Sequence, residues 1–110
     1  MAKRVILSRR AQGNRKEILK YWGTRNGSNL YSKKLDRLFK ESIRIIARFP
    51  HIGRPTDQAN IRIKTAKEYF VVYEETDLEV VILAIWDSRQ NPNDLKPQRA
   101  QERSVRSWQS

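Results

Sequence analysis

Residues 69–86 read YFVVYEETDLEVVILAIW, which places two long apolar runs on either side of a polar break. Both runs are rich in β-branched and aromatic residues, the composition that favours strands. The break at residues 75–78 predicts a hairpin turn between strands over 69–73 and 80–86. A third strand is predicted just before them, because residues 61–64 alternate strictly between isoleucine and a basic residue. Together the three runs predict an antiparallel meander.

The residues before this meander predict a strand and two helices. Residues 5–7 form a short β-type run, and Ser8 is a suitable N-cap for a helix over 9–25. Asn26-Gly27 ends that helix. Over residues 29–49 apolar positions recur every three or four residues and basic residues occupy the other face. Pro50 ends this second helix.

This order predicts an α+β fold. An N-terminal strand is followed by an antiparallel helical hairpin and then by the three-strand antiparallel meander, all forming one small twisted sheet. We predict a domain over residues 1–96. Residues 97–110 read as a polar C-terminal tail, and the stretch from residue 91 onward as a short helix or an unstructured tail.

The composition excludes several classes of protein. The chain of 110 residues has a net charge of +11 and no cysteine, which favours an acidic partner and excludes disulfides and thiolate catalysis. No apolar run is long enough to span a bilayer, and no signal peptide is apparent. We therefore expect a cytoplasmic location. We also expect no metal and no cofactor, because the carboxylates are scattered and no glycine-rich phosphate loop is present.

The last two predicted strands are apolar on both faces, which is unusual for a sheet with helices on one side only. Something is expected to cover the second face. One candidate is the chain's own tail, anchored by Val105 and Trp108. The other is a segment of a separate, acidic protein.

Basic and aromatic residues are the only candidates for chemistry. His51 is a single loop histidine, so no Ser/His/Asp arrangement is available. The side chains that could bind phosphates or another target are Arg54, Arg62, Lys64, Lys67 and Arg89. Tyr69 and Tyr73 could stack on bases. The alternative is that these cations pair with Glu68, Glu74, Glu75 or Asp87.

Three segments carry a resemblance to a known family. Pro50-x-Ile52-Gly53-Arg54-Pro55-Thr56-Asp57, the strand at 69–73, and the end over residues 82–92 (ILAIWDSRQNP) resemble the RelE/ParE toxins of type II toxin–antitoxin systems over residues 3–95. The resemblance implies neutralisation by an acidic antitoxin that wraps the toxin. The expected antitoxin-binding residues are Phe70, Val72, Leu83, Ile85 and Trp86.

The family has two branches with different targets. RelE-like members cleave mRNA on the ribosome, and ParE-like members inhibit DNA gyrase by binding. Phe70 stands where RelE-like nucleases commonly carry an arginine, and Asp87 occupies a position that suits phosphate poorly. The resemblance therefore favours a ParE-like toxin, associated with growth inhibition and plasmid stabilisation, that is not an enzyme.

Two alternatives remain open at this point. One is a ribosome-dependent mRNA endoribonuclease, for which the catalytic candidates are Arg62, Lys64 and Arg89 with Tyr69 or Tyr73. The other is a non-toxic relic that only binds an antitoxin or nucleic acid.

Overall fold

The secondary structure follows the predicted order, with two short strands added. A computed structural model of the chain describes residues 2–25, 27, 29–89 and 105–107. The elements are β1 (Arg4–Ser8), α1 (Arg9–Arg25), α2 (Leu30–Arg48), β2 (Arg54–Pro55), β3 (Ile61–Ala66), β4 (Tyr69–Glu75), β5 (Glu79–Asp87) and β6 (Val105–Ser107). The predicted α+β class is confirmed.

All the strands belong to one sheet, in the order β2-β3-β4-β5-β1-β6. The meander of β3, β4 and β5 is antiparallel, as predicted. The N-terminal strand β1 joins it beside β5 and runs parallel to it, with Arg4 opposite Glu79. A parallel neighbour requires a long crossover, which the two helices and the meander provide.

Two strands were not predicted. The short strand β2 lies inside the loop that follows α2 and pairs with β3. The strand β6 pairs antiparallel with β1, where a helix or an unstructured tail was expected. The remaining residues of that tail, Trp108 among them, lie outside the described residues. The division into 1–96 and 97–110 therefore stays a prediction.

Ser8 connects β1 to α1 and secures the start of that helix. Its hydroxyl oxygen accepts a hydrogen bond from the backbone N–H of Ala11 at 3.1 Å, as the predicted N-cap requires. The same hydroxyl donates to the carbonyl of Leu83 at 2.9 Å, which also ties the helix start to β5. Both helices pack on one face of the sheet and form a helix-side cluster with it. Its larger members are Leu7, Leu35, Phe39, Ile43, Ile46, Tyr69, Val71, Tyr73, Ile82 and Ile85.

A change of register in β5 determines which face of the sheet Ile85 occupies. Val72 lies opposite Ala84 and Tyr73 lies opposite Ile82, so Leu83 is an extra residue in β5. The extra residue reverses the alternation of faces beyond it. Ile85 therefore packs in the helix-side cluster and is not on the second face with Leu83.

The second face carries its own apolar cluster of Ile6, Ile61, Val72, Val81, Leu83 and Ala84. These side chains are only 0–6% exposed in the single chain. The open apolar face expected from the sequence is therefore not found at these residues. Phe70 and Trp86, which pair across β4 and β5, are half-buried.

Candidate functional site

The predicted basic residues do not form one cluster. Arg62 lies opposite Tyr73 and Lys64 lies opposite Val71, and residues opposite each other share a face. Both cations are therefore on the helix side of the sheet. The Nη1 atom of Arg62 donates to the Gly53 carbonyl at 2.8 Å, and the Lys64 ammonium donates to the Thr65 carbonyl at 3.2 Å.

Arg54 lies on the other side of the sheet. It is paired with Ile63 on the edge strand β2, and its guanidinium lies 5.1 Å from the centre of the Phe70 ring. Such a distance gives a favourable cation–π contact. Arg54 and Phe70 therefore form a small basic and aromatic surface, separate from Arg62 and Lys64.

Lys67 lies in the two-residue turn between β3 and β4, with a positive φ of 58°. Its ammonium lies 4.9 Å from the centre of the Tyr31 ring and donates to the Tyr31 hydroxyl at 3.3 Å. The two residues line one end of a groove of about 640 Å³ along α2, together with Lys34, Leu35, Arg37, Leu38 and Glu41. Its lining combines apolar side chains with an excess of positive charge.

Arg89 follows the end of β5 and is engaged by Asp87. Its Nη2 atom lies 2.7 Å from a carboxylate oxygen of Asp87. The hydrogen bond from Arg89 lowers the pKa of Asp87, and the same bond raises the pKa of Arg89. Arg89 therefore pairs with a carboxylate of its own chain, which is the alternative that the sequence left open for these cations.

The two candidate tyrosines have structural partners. Tyr73 is fully buried, donates to the Pro50 carbonyl at 2.7 Å and accepts from the Gly53 N–H at 2.9 Å. Burial raises the pKa of this phenol. Tyr73 therefore anchors the loop after α2 and cannot reach an external substrate. Tyr69 is 4% exposed, and its oxygen accepts from Trp22 Nε1 at 2.8 Å. Burial also raises the pKa of Tyr69.

A cavity between α1 and the end of β5 collects several polar side chains. Its volume is about 580 Å³, and it is lined by Asn14, Glu17, Ile18, Tyr21, Tyr69, Ile85, Trp86, Asp87 and Arg89. Trp86 is one of the lining residues, and its buried indole Nε1 atom has no hydrogen-bond partner among the residues that the structure describes; such a donor is costly to leave unsatisfied. The cavity could accept a polar group from a ligand or partner.

The polar α1 residues of this cavity were not predicted as site residues from the sequence. Asn14, Glu17 and Tyr21 are spaced by three and four residues, so they share one face of α1. That spacing was visible in the sequence, but nothing in it indicated that β5 would end beside this face. Asn14 also accepts from the backbone N–H of Ile85 at 3.1 Å, which attaches α1 to β5.

The described residues contain no group of three or more histidine, cysteine or acidic side chains that could hold a metal ion. No helix within them is sufficiently long and apolar to cross a membrane. What the arrangement offers is a set of dispersed cationic and aromatic surfaces around a rigid sheet. Such surfaces are suited to binding anionic or protein partners.

Comparisons with known proteins agree with this architecture. A family model described as the ParE toxin of the type II toxin–antitoxin system parDE matches residues 5–92. A solved structure described as the chromosomal ParDE TA system from P. aeruginosa superposes with a TM-score of 0.69 at 17% identity, covering 78% of this chain and 96% of that one. No curated protein matches the sequence. Since the family model spans most of the chain, this protein belongs to the ParE toxin family of type II toxin–antitoxin systems.

Proposed function

We propose that this protein inhibits bacterial growth by binding DNA gyrase rather than by cleaving RNA. The observation that carries the proposal is that the candidate catalytic residues lie in two different places and are held by groups of the chain itself: Arg62 lies opposite Tyr73, whereas Arg89 lines the cavity with Tyr69. Arg62 is bound to the Gly53 carbonyl, Arg89 is bound to Asp87, and Tyr73 is buried with both its hydrogen-bonding positions filled. Membership of the ParE family supports the same branch.

RNA cleavage through a ribose 2′-hydroxyl needs several groups around one phosphate. A base or acid has to lie within about 3 Å of the reacting proton, and preorganised donors have to meet the developing charge. Arg54 and Lys67 do not complete such a site, because Arg54 lies over Phe70 and Lys67 lies over Tyr31. Inhibition by binding requires no such convergence.

The proposed function includes neutralisation by an acidic antitoxin. The net charge of +11 supports an acidic partner. The half-buried pair of Phe70 and Trp86 and the groove beside Lys67 offer apolar contact area bordered by cations. Val72 and Leu83 were also expected to bind the antitoxin, but both are 1% exposed and contribute no accessible area in the single chain. We propose the cytoplasm as the place of action, since gyrase works on the chromosome.

The first test is induced expression of the chain alone in bacteria, with labelled precursors of DNA and of protein followed over the first minutes. Early arrest of DNA synthesis with continuing translation is the expected result. Early arrest of translation would overturn gyrase as the target. If a short acidic protein is encoded next to this chain, its co-expression should restore growth.

The alternative function is ribosome-dependent cleavage of mRNA. One observation favours it: Tyr69 and Arg89, both candidates for catalysis, line the same cavity, as expected for residues that bind a nucleotide. The double variant Arg62→Ala, Arg89→Ala tests the ribosome-dependent nuclease. If the chain is a nuclease that uses these residues, the variant loses mRNA cleavage on purified ribosomes while antitoxin binding is kept. The matched control is Arg9→Ala, Lys16→Ala, which removes the same charge from the exposed side of α1.

A further inference from the structure

The outer side of α2 carries a line of basic residues, of which only Arg37 also lines the groove used in the proposed function. Lys33, Arg37, Arg44 and Arg48, here called the α2 stripe, are all exposed. At 3.6 residues per turn they lie within an arc of about 60° and extend over about 22 Å along the helix. The buried residues of α2, such as Phe39 and Ile46, lie on the opposite side, against the sheet. The stripe is therefore presented outward on a rigid support.

The charges of the α2 stripe are not neutralised within the described part of the chain. None of the four side chains makes an ion pair or a hydrogen bond there, and Arg48 contacts only the Phe49 ring at 5.9 Å. The neighbouring carboxylate, Asp36, is occupied by Arg15 and Lys40 on the α1 side of the helix. Glu41 is the only acidic residue on the flank of the stripe.

Three kinds of partner fit this surface poorly. A membrane-surface helix needs an exposed apolar face, but the apolar face of α2 is buried in the core. The centre of a protein interface is depleted in charged residues and enriched in aromatic ones. Single-stranded nucleic acid is held by stacking on aromatic side chains. Within the arc between Lys33 and Arg48 no residue of α2 is aromatic.

The remaining partner is a rigid polyanion, and we propose that the α2 stripe binds the phosphate backbone of duplex DNA. Each strand of B-DNA carries a phosphate about every 3.4 Å along the axis, so a stripe of about 22 Å extends past roughly six phosphates. The contacts are made by charge alone, so the binding is independent of base sequence. The inference does not depend on gyrase as the target. If gyrase is the target, the stripe would strengthen binding to the DNA-bound enzyme.

The test measures the affinity of the purified full chain for a fluorescent 25-base-pair duplex, between about 50 and 200 mM salt. Four phosphate contacts give a slope of about −3.6 in log K against log salt, a loss of roughly 100-fold over this range. In the variant K33Q/R37Q/R44Q/R48Q the slope should become shallower by about that amount. Two unrelated duplex sequences should bind equally.

The matched control removes the same charge from α1, in the variant R9Q/K16Q/K20Q/R25Q, whose positions are also exposed. Its slope should change by less than one. The variant R37K/R44K/R48K keeps the charge and should bind as the natural chain does. An equal loss in the α1 control, an unchanged slope in the α2 variant, or tighter binding to single-stranded DNA or polyglutamate than to the duplex would each overturn the proposal.

Discussion

Arg89 is bound by the side chain two residues before it: its Nε and Nη2 atoms lie 3.0 and 2.7 Å from the two carboxylate oxygens of Asp87. The backbone N–H of Arg89 donates to the same carboxylate at 2.9 Å. A guanidinium held at both of these nitrogens has fewer donors left for an external phosphate. Arg89, a candidate for phosphate binding and for catalysis, is therefore largely engaged by its own chain.

Removing the guanidinium of Arg89 should return the pKa of the Asp87 carboxyl toward its ordinary value. The hydrogen bond from Arg89 is the main cause of the lowered pKa of Asp87, so Arg89→Ala should raise that pKa toward 3.8. Carboxyl-carbon NMR during an acid titration measures it directly. Arg54→Ala, on the other side of the sheet, should leave it where it is. A carboxyl that still titrates low without Arg89 would show that another group holds its charge.

Gly53 has no room for a side chain. A Cβ atom there would lie 2.6 Å from the Tyr73 hydroxyl oxygen and 3.0 Å from the Ile63 carbonyl oxygen, which cannot move without disturbing β3. Gly53→Ala should lower the free energy of unfolding by about 2 kcal/mol, as measured by urea denaturation. Gly13→Ala is the control, because a Cβ there meets nothing within 4 Å. In the interior of α1 it should stabilise the protein by about 0.5–1 kcal/mol.

The hydroxyl of Tyr73 should matter for stability and not for activity. Tyr73→Phe leaves the Pro50 carbonyl and the Gly53 N–H without their side-chain partner, a cost of about 2 kcal/mol. Tyr31→Phe, which removes a hydroxyl that accepts a hydrogen bond from the exposed Lys67, should cost less than about 0.5 kcal/mol. Growth inhibition by both variants should persist at temperatures where they are folded. A stable Tyr73→Phe protein without activity would instead give this phenol a functional role.

Acid should weaken the contacts of Glu75, in β4, with Lys3 near the N-terminus and with His51 in the loop after α2. The hydrogen bond from Lys3 is the first cause of the lowered pKa of Glu75, which also contacts His51. Because the folded pKa lies below the unfolded value of about 4.5, this contribution is present above pH 4.5 and is lost as the pH falls through the folded pKa.

Glu75→Gln should therefore destabilise the protein by about 1 kcal/mol at pH 6, and the difference from the natural chain should vanish near pH 3. Urea denaturation at the two pH values measures it. Glu41→Gln, at an exposed carboxylate on the side of α2, should shift stability much less at either pH. A constant difference for Glu75→Gln across this range would contradict the assignment.

Most of the fold was predictable because it follows from local periodicity. The spacing of apolar residues in α2 and the runs in β4 and β5 each favour one type of element, and Ser8 caps α1 as its side chain suggests. The position of Ile85 was not predictable in this way. Strict alternation puts it on the same face as Leu83, whereas the extra residue in β5 turns it to the helix side. That extra residue appears only in the pairing of β5 with β4 and not in the local sequence pattern.

The candidate site was predicted less well, because its contacts join residues far apart in the chain. Arg62 is engaged by the carbonyl of Gly53, whose position depends on how the loop after α2 is anchored to Tyr73. The cavity beside Trp86 depends on which face of α1 meets the end of β5. Residue types identified the cations, but only their burial and backbone partners showed that they do not converge.

The parallel pairing of β1 with β5 has a consequence for the timing of synthesis. Arg4 lies opposite Glu79, which is 75 residues later in the chain. At a synthesis rate of about 5–20 residues per second, roughly 4 to 15 s pass between the synthesis of Arg4 in β1 and that of its partner in β5. During that interval the nascent chain contains the residues of the helices and of part of the meander, but the sheet is incomplete because β5 has not yet been made. A fragment that ends before residue 79 therefore cannot fold into a toxin, however much of the helical hairpin it contains.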